Sequence, residues 1–350
     1  NGNLQKYKEK VDPRVKLSGI ADGDISPNST DAVNGRQVYV LTDRIRFFHT
    51  NDGHNAEEQI NHKSNTVDSI ASGSYSTAVG YKAHAKGESS VALGNGATAG
   101  EQGVAIGHGA VASGKQSISI GTGNVVSGNN SGAIGDPNTI KADRSYALGN
   151  NNQVNAGQSD VFVVGNNVKN TTSNSVFLGT NSGYVAAGAT TAGAGALESQ
   201  VIGGVYNAYA GGKATEVVGV VSVGNVDSDG KMETRRIQNV APGLISEQST
   251  DAINGSQLYN VAHRLGAKLE REGRQLRAGI AATTAMSNIP QVTLPGKSTL
   301  GAGIGTFEGQ NAVAVGFSRM SDNGRVILKV SAGATSQGKY NAGAGIALQW

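Results

Sequence analysis

The chain has no cysteine, which removes disulfide frameworks and thiolate metal sites from consideration. The same absence suits a polypeptide that must cross an oxidising compartment without cross-linking. Proline is scarce, with 6 residues among 350, and aromatic side chains make up only 5%. A compact catalytic core of this length normally uses more Phe, Tyr and Trp. There is no run of about 18 apolar residues, so no transmembrane helix is expected. A transmembrane β-barrel stays open, because its strands carry a much weaker signal. Net charge is +3, and the densest basic stretch, residues 271–277, has Glu272 inside it. A nucleic-acid interface would show a basic stripe interleaved with aromatics, so no nucleic-acid partner is expected. The sequence opens at Asn1 without Met or a basic-then-apolar leader, and is read as a piece of a longer precursor.

Glycine is abundant instead: 51 residues, about twice the usual share of about 7%. It follows no period of three, so a collagen helix is excluded. Its order appears across residues 69–183, where a small or apolar residue, then Val, Ile or Leu, then Gly, recurs. The pattern runs through Ala78-Val79-Gly80, Ala92-Leu93-Gly94, Ala105-Ile106-Gly107 and Ser119-Ile120-Gly121. It continues through Ala133-Ile134-Gly135, Ala147-Leu148-Gly149, Val163-Val164-Gly165 and Phe177-Leu178-Gly179. The glycines are 14, 13, 14, 14, 14, 16 and 14 residues apart. A second apolar pair follows each Gly, as in Ala83 with Ala85 and Ala97 with Ala99. One period therefore reads as strand, turn, strand, turn, and the periods as stacked coils of a β-solenoid. The reading puts one Val, Ile or Leu per coil inside, with Ala. That burial is thin against about 1 to 2 kcal/mol of backbone entropy per residue, so neighbouring chains are expected to cover more of the solenoid.

After residue 258 the pattern changes. Leu258, Val261, Leu265, Leu269, Leu276 and Ile280 lie on one helix face and resemble a short, imperfect coiled coil. Pro290 and Pro295 end it. Four alternating segments follow, with Leu300, Val313, Leu328 and Ile346 on one face and mostly Gly, Ala or polar residues on the other. Each is near the 9 to 11 residues a tilted strand needs to span a bilayer. Four strands cannot close a barrel, and open edges are not tolerated in lipid. Three chains would supply twelve strands, with the preceding helices filling the interior.

Sites for chemistry are weak. His49 and His54 fall in an irregular connector. Asp22-Gly23-Asp24 and Asp227-Ser228-Asp229-Gly230 contain calcium-like fragments, but neither completes an EF-hand loop. No catalytic, metal or cofactor site is expected. A solenoid acyltransferase would repeat its apolar residues every six positions, which a period of 14 does not fit. A pore carrying a solenoid cap is the second alternative.

Two further segments are near copies: Asn28-Ser29-Thr30-Asp31-Ala32-Val33-Asn34-Gly35-Arg36-Gln37-Val38 and Gln248-Ser249-Thr250-Asp251-Ala252-Ile253-Asn254-Gly255-Ser256-Gln257-Leu258. Asp31, Asn34 and Gly35 in the first recur as Asp251, Asn254 and Gly255 in the second. Their Asn-Gly pairs are expected to take positive φ. With the repeats and the terminal strands, these segments make the chain resemble the trimeric autotransporter adhesins, the YadA-like family. That resemblance implies a trimeric left-handed parallel β-roll head, a coiled-coil stalk and a twelve-stranded outer-membrane barrel with helices inside. It makes the two near copies necks that step from a wide β-structure to a narrow helical bundle, with Asp31, Asn34, Gly35, Asp251, Asn254 and Gly255 as their key residues. It implies a cell-surface homotrimer that attaches to host cells, surfaces or matrix proteins such as collagen, fibronectin or laminin, and that drives autoagglutination. It also implies export through the barrel with help from barrel-assembly machinery. Gly301, Gly303, Gly305, Gly343 and Gly345 would keep the lumen open, and Trp350 would close the terminal strand that the machinery reads. The family's collagen-binding pattern is approached by Asn174, Ser175, Val176, Gly179 and Ser182, although Phe177 and Leu178 depart from it.

The expected domains are a neck-like motif with a short helix (1–45), a connector (46–68) and the head (69–183). An insertion with the last head strand (184–238), the neck (239–258), the stalk and pore helix (259–289) and the anchor (290–350) follow. Residues 184–213 fit no coil; Gly203-Gly204 and Gly211-Gly212 suggest an excursion.

Overall fold

The computed structural model describes residues 15–43 and 69–350. The connector expected at 46–68, with His49 and His54, lies outside the described residues. The chain divides into two compact units, which are taken separately. The first holds the solenoid and the first neck-like segment, which leads into α1 (Gly35–Asp43).

Each period of the solenoid folds into two short strands. The seven-stranded sheet stacks β1 (Ile70–Ala71), β3 (His84–Ala85), β5 (Thr98–Ala99), β7 (Val111–Ala112), β9 (Val125–Val126), β11 (Thr139–Ile140) and β13 (Gln153–Val154). The nine-stranded sheet stacks β2 (Thr77–Val79), β4 (Val91–Leu93), β6 (Val104–Ile106), β8 (Ile118–Ile120) and β10 (Gly132–Ile134). It continues through β12 (Tyr146–Leu148), β14 (Val161–Val164), β15 (Ser175–Leu178) and β18 (Val221–Ser222). Pairing is parallel, and each residue faces its counterpart one period on, as Ala92 faces Ala105. The glycine of each repeat follows from this stacking. Gly94 has φ of +124°, and a Cβ there would lie 2.7 Å from the Gly107 carbonyl oxygen of the next coil.

The interior differs from the expectation in one respect. The Val, Ile or Leu before each glycine does not point inward. The residue before it does: Ala92, Ala105, Ser119, Ala133, Ala147, Val163 and Phe177 are buried, while Leu93, Ile134, Leu148, Val164 and Leu178 are exposed. The apolar interior of the early coils is built from alanine, as the all-alanine cluster from Ala83 to Ala112 shows. Strand alternation then sends the larger neighbour to the outer face. The core widens along the stack, taking Val126, Ile140, Val154, Val163 and finally Phe177. One inner corner carries Asn124, Asn138 and Asn152 in a ladder. The Asn138 N–H donates to Asn124 Oδ1 at 2.7 Å, and Asn138 Nδ2 donates to the Gly149 carbonyl at 2.7 Å. These buried amides are thereby satisfied.

After Tyr184, whose N–H still bonds to the Asn170 carbonyl of the preceding coil, the chain leaves the solenoid and comes back to it at Gly219. Between these points β16 (Ser199–Ile202) and β17 (Val205–Ala208) pair as a two-stranded sheet across Gly203-Gly204, both at positive φ. Such a two-residue turn matches the twist of a hairpin. The chain then rejoins the stack, where β18 lies beside β15. A short antiparallel pair, β19 (Asn225–Val226) and β20 (Met232–Glu233), completes this unit.

The second unit contains the second neck, α2 (Gly255–Ser287) and an antiparallel meander. The meander runs β21 (Ser298–Phe307), β22 (Gln310–Met320), β23 (Val326–Thr335) and β24 (Tyr340–Leu348). Leu300 faces Phe317, Ala302 faces Val315 and Ile304 faces Val313. Helix α2 buries Ala278, Ala281, Ala282 and Ala285 against the inner face.

Candidate functional site

The outer face of the nine-stranded sheet is built by registry. One column of stacked residues is Leu93, Ile106, Ile120, Ile134, Leu148, Val164 and Leu178. A second is Val91, Val104, Ile118, Gly132, Tyr146, Phe162 and Val176, ending on Val221. Tyr146 and Phe162 stack with ring centroids 5.3 Å apart. A contiguous apolar strip this long on one chain marks an interaction surface. The solenoid's turns are polar. Arg144 grips Asp160 with two hydrogen bonds of 2.8 and 2.7 Å. The Arg144 hydrogen bonds, with help from Ser159, hold the Asp160 carboxyl down at about 2.

The segment approaching the collagen-binding pattern forms the last regular coil. Asn174 takes positive φ at a corner. Ser175 is buried; its hydroxyl donates to the Ser173 carbonyl and accepts from the Val220 N–H. Ser182 is also buried and donates to the Leu178 carbonyl. Gly179 lies under the Arg235 guanidinium. Arg235 donates to the Val223 and Thr180 carbonyls at 2.6 Å each and to Ser182 Oγ at 3.2 Å. It closes the end of the coil, and no local motif announces it, because its partners lie up to 55 positions away. Phe177, unusual for an alanine slot, is the largest fully buried side chain among the described residues.

The two necks use one set of bonds. In the second, Gln257 accepts from the Gly243 N–H at 3.0 Å and returns a bond to the Gly243 carbonyl at 2.6 Å. Asn254 Nδ2 donates to the Val240 carbonyl, and Asp251 accepts from the Leu244 N–H. In the first, Gln37 clips Gly23 at the same distances, Asn34 reaches the Ile20 carbonyl, and Asp31 accepts from the Asp24 N–H. The Asn-Gly pairs are not the positive-φ points expected. Asn254 is extended, at φ of −89°, and caps α2 by accepting from the Gln257 N–H in a capping box. Gly35 and Gly255 open the helices without positive φ, which falls instead on Gly19 and Asn239. Helix initiation needs the cap more than it needs a left-handed turn.

In the meander, the inner face is mostly small or polar, apart from Met320 and Ile327, which bury against Val292, and the outer face is apolar. Leu300, Ile304, Val313, Val315, Phe317, Leu328, Val330, Ile346 and Leu348 are exposed on the outside. Gly303 and Gly305 face α2 so closely that side chains would collide with the Ala285 and Ala281 carbonyls, and Gly301 packs tightly on the Ile289 side chain just past the helix. Gly343 approaches Met286, whereas Gly345 borders open space. Three side chains of the sheet bond to the backbone of the helix and its extension. Asn341 donates to the Gly279 carbonyl, Lys329 Nζ donates to the Ile289 carbonyl at 3.1 Å, and Ser318 accepts from the Val292 N–H at 2.9 Å. Trp350 lies beyond the end of β24, fully exposed. Among the described residues no helix is long and apolar enough to cross a membrane, and no cluster of three metal-ligating side chains occurs.

A repeat domain with an outward apolar strip, a clipped neck and a helix seated on a sheet that is apolar outside define a head, a stalk and an anchor-like end. Comparison with known proteins agrees. Residues 290–350 match the YadA-like membrane anchor domain, and residues 16–55 and 236–281 match the coiled stalk of trimeric autotransporter adhesins. Residues 71–97, 99–124 and 112–136 match the YadA head domain repeat. Autotransporter adhesin NhhA of Neisseria meningitidis is 38% identical over 126 residues, covering 36% of this chain and 21% of that protein. Autotransporter adhesin EhaG of Escherichia coli O157:H7 is 32% identical over 173 residues, covering 45% of this chain and 11% of that protein. The collagen-binding domain of Yersinia adhesin YadA is 23% identical, with a TM-score of 0.34, over 60% of this chain and 93% of that structure. The chain belongs to the YadA-like trimeric autotransporter adhesins, and it spans about a fifth or less of the length of these two curated relatives.

Proposed function

We propose that three copies of this chain form the membrane-proximal part of an adhesive fibre, with the meanders completing one twelve-stranded outer-membrane barrel and the heads projecting from the cell. The observation that carries this reading is that the head and the helix leave apolar surface uncovered in a single chain and the meander leaves its edges unpaired. The head has its two columns, α2 has Leu258, Val261, Leu265 and Leu269 exposed, and the meander has two unpaired edges, β21 and β24. A threefold assembly covers all three at once, and lipid tolerates no open edge.

In this reading the heads attach the cell to matrix proteins such as collagen, fibronectin or laminin, to host cells or to sister cells. Three copies per fibre raise avidity even where each contact is weak. Asn174, Ser175, Val176, Gly179 and Ser182 are the collagen-site candidates. The buried bonds of Ser175 and Ser182 favour a structural part for those two, leaving Asn174 and Val176 as the groups to test. Gly301, Gly303, Gly305, Gly343 and Gly345 leave lumen space through which the passenger is exported before α2 seats. Trp350 contributes to the signal that barrel-assembly machinery reads.

The test is surface display and adhesion of the complete protein on bacteria. Cells should bind immobilised matrix protein and agglutinate, and replacing Gly301, Gly303 and Gly305 together with Leu should reduce display while barrels still insert. Unchanged display would overturn the export role. Cells that display the protein yet neither adhere nor agglutinate would overturn the adhesin role.

A further inference from the structure

The β16–β17 hairpin has no place in the solenoid and no cover of its own. Val201, Ile202, Val205 and Tyr206 are between 56% and 69% exposed. Val201 and Ile202 are consecutive strand residues, so both faces of the hairpin carry bare apolar side chains. An isolated two-stranded hairpin is marginal in water. Its base is nevertheless pinched: the Leu197 N–H donates to the Gly212 carbonyl at 2.8 Å, and a Cβ on Gly212 would collide with the Leu197 carbonyl. The chain is thus made to project here.

Where it projects decides what it meets. Gly183 and Tyr184 still follow the coil, bonding to Gly224 and Asn170, and the chain returns at Gly219, packed on the Asn174 carbonyl. The excursion therefore replaces the corner that elsewhere leads into a strand of the nine-stranded sheet. It interrupts the passage from β15 to β18, whose outer faces carry Leu178, Val176 and Val221 at the end of the apolar columns. The excursion that carries the hairpin returns to the solenoid just before Val221, at the end of the strip that the proposed trimer buries. A hairpin apolar on both faces, growing from the rim of that strip, has its natural cover in the adjacent copy.

We propose that this hairpin is an inter-subunit clasp: it lies across a second copy of the same chain and locks the heads together below the last coil. The proposal rests on the trimeric reading. Closure at this level would restrain the wide, Phe177-filled end of the solenoid.

A photo-crosslinking amino acid at Tyr206 tests it in the complete protein displayed on cells, beside a second probe at Leu148 in the apolar column. Irradiation should give covalently linked copies of this chain from both positions, read as bands of two or three chain masses after full denaturation. Linkage from Leu148 but not from Tyr206 would overturn the clasp and leave the trimer standing, as would linkage of Tyr206 to some other protein or to lipid. Linkage from neither would overturn the trimer and the clasp with it. Excision of residues 198–211 across the pinched base gives a second reading. The clasp predicts heads that dissociate at least tenfold faster in denaturant, whereas an unchanged rate contradicts it.

Discussion

Leu148 gives the sharpest perturbation of the assembly. It occupies the middle of the outer column, between Ile134 and Val164, and is 52% exposed in the single chain. Full burial of a leucine side chain contributes about 1.5–3 kcal/mol, so covering the remaining half adds about 1 kcal/mol per chain and about 3 kcal/mol per trimer. Leu148→Ala should weaken the assembly by that amount. Leu148→Asp should do more, because three carboxylates would enter one level of a closed apolar interface without partners, at several kcal/mol. Neither change touches the interior of a coil, since Ala147 and not Leu148 faces inward. The assay is thermal unfolding of the complete protein in detergent, with mass followed by light scattering. Lys141→Asp, on an exposed residue following β11 of the other sheet, serves as control. Leu148→Ala should lower the midpoint by several degrees, and Leu148→Asp should release single chains or prevent assembly. If Leu148→Asp melts with the control, the outer columns face solvent in the assembled protein and the reasoning is wrong.

Other consequences are open to test. Gln257→Ala removes both bonds to Gly243 and the capping-box bond from the Asn254 N–H; at about 0.5–1.5 kcal/mol per bond, a loss of about 1.5–4.5 kcal/mol per chain is expected in denaturant titration, with Ser256→Ala as a milder comparison. Gly303→Leu forces α2 off the sheet, so hydrogen exchange at 278–285 should accelerate and stability fall by about 1–3 kcal/mol; unaltered exchange would mean that the helix is not seated on this glycine. The Asp160 carboxyl should titrate near 2, below its ordinary value of 3.8. Because the folded value is depressed, its contribution to stability is present above 3.8 and is lost as pH falls towards 2. In Arg144→Gln the NMR titration midpoint should move back up, and a midpoint that stays put would remove Arg144 as the cause.

Much of this was legible because stacking and alternation write themselves into spacing. Gly94 and Gly107 recur where a Cβ cannot pass between coils, and Gly303 and Gly305 stand where a helix backbone comes close. What spacing does not reveal is which side of an alternating strand is the inside. Large residues ordinarily fill a core, but here the early interior is lined by alanine and the large side chains lie on the outer face. The neck shows the same limit on a smaller scale. Asn254-Gly255 has the composition of a turn, yet the Gln three positions after Asn254 makes it a helix cap, and that Gln was the signal to weigh. The hairpin announced its turn at Gly203-Gly204 but not its strands, whose apolar residues fall on both faces and give no alternation. Arg235 was invisible because its work is done on carbonyls brought near only by the stacking of coils.

The account depends on copies of this chain supplying to each other the cover that one chain lacks. Its most direct measurement is the polypeptide mass of the complete protein extracted from the outer membrane in mild detergent, with bound detergent subtracted. Three chains per particle, converting to unfolded single chains on denaturation, is the predicted result; a stably folded particle of one chain would contradict it.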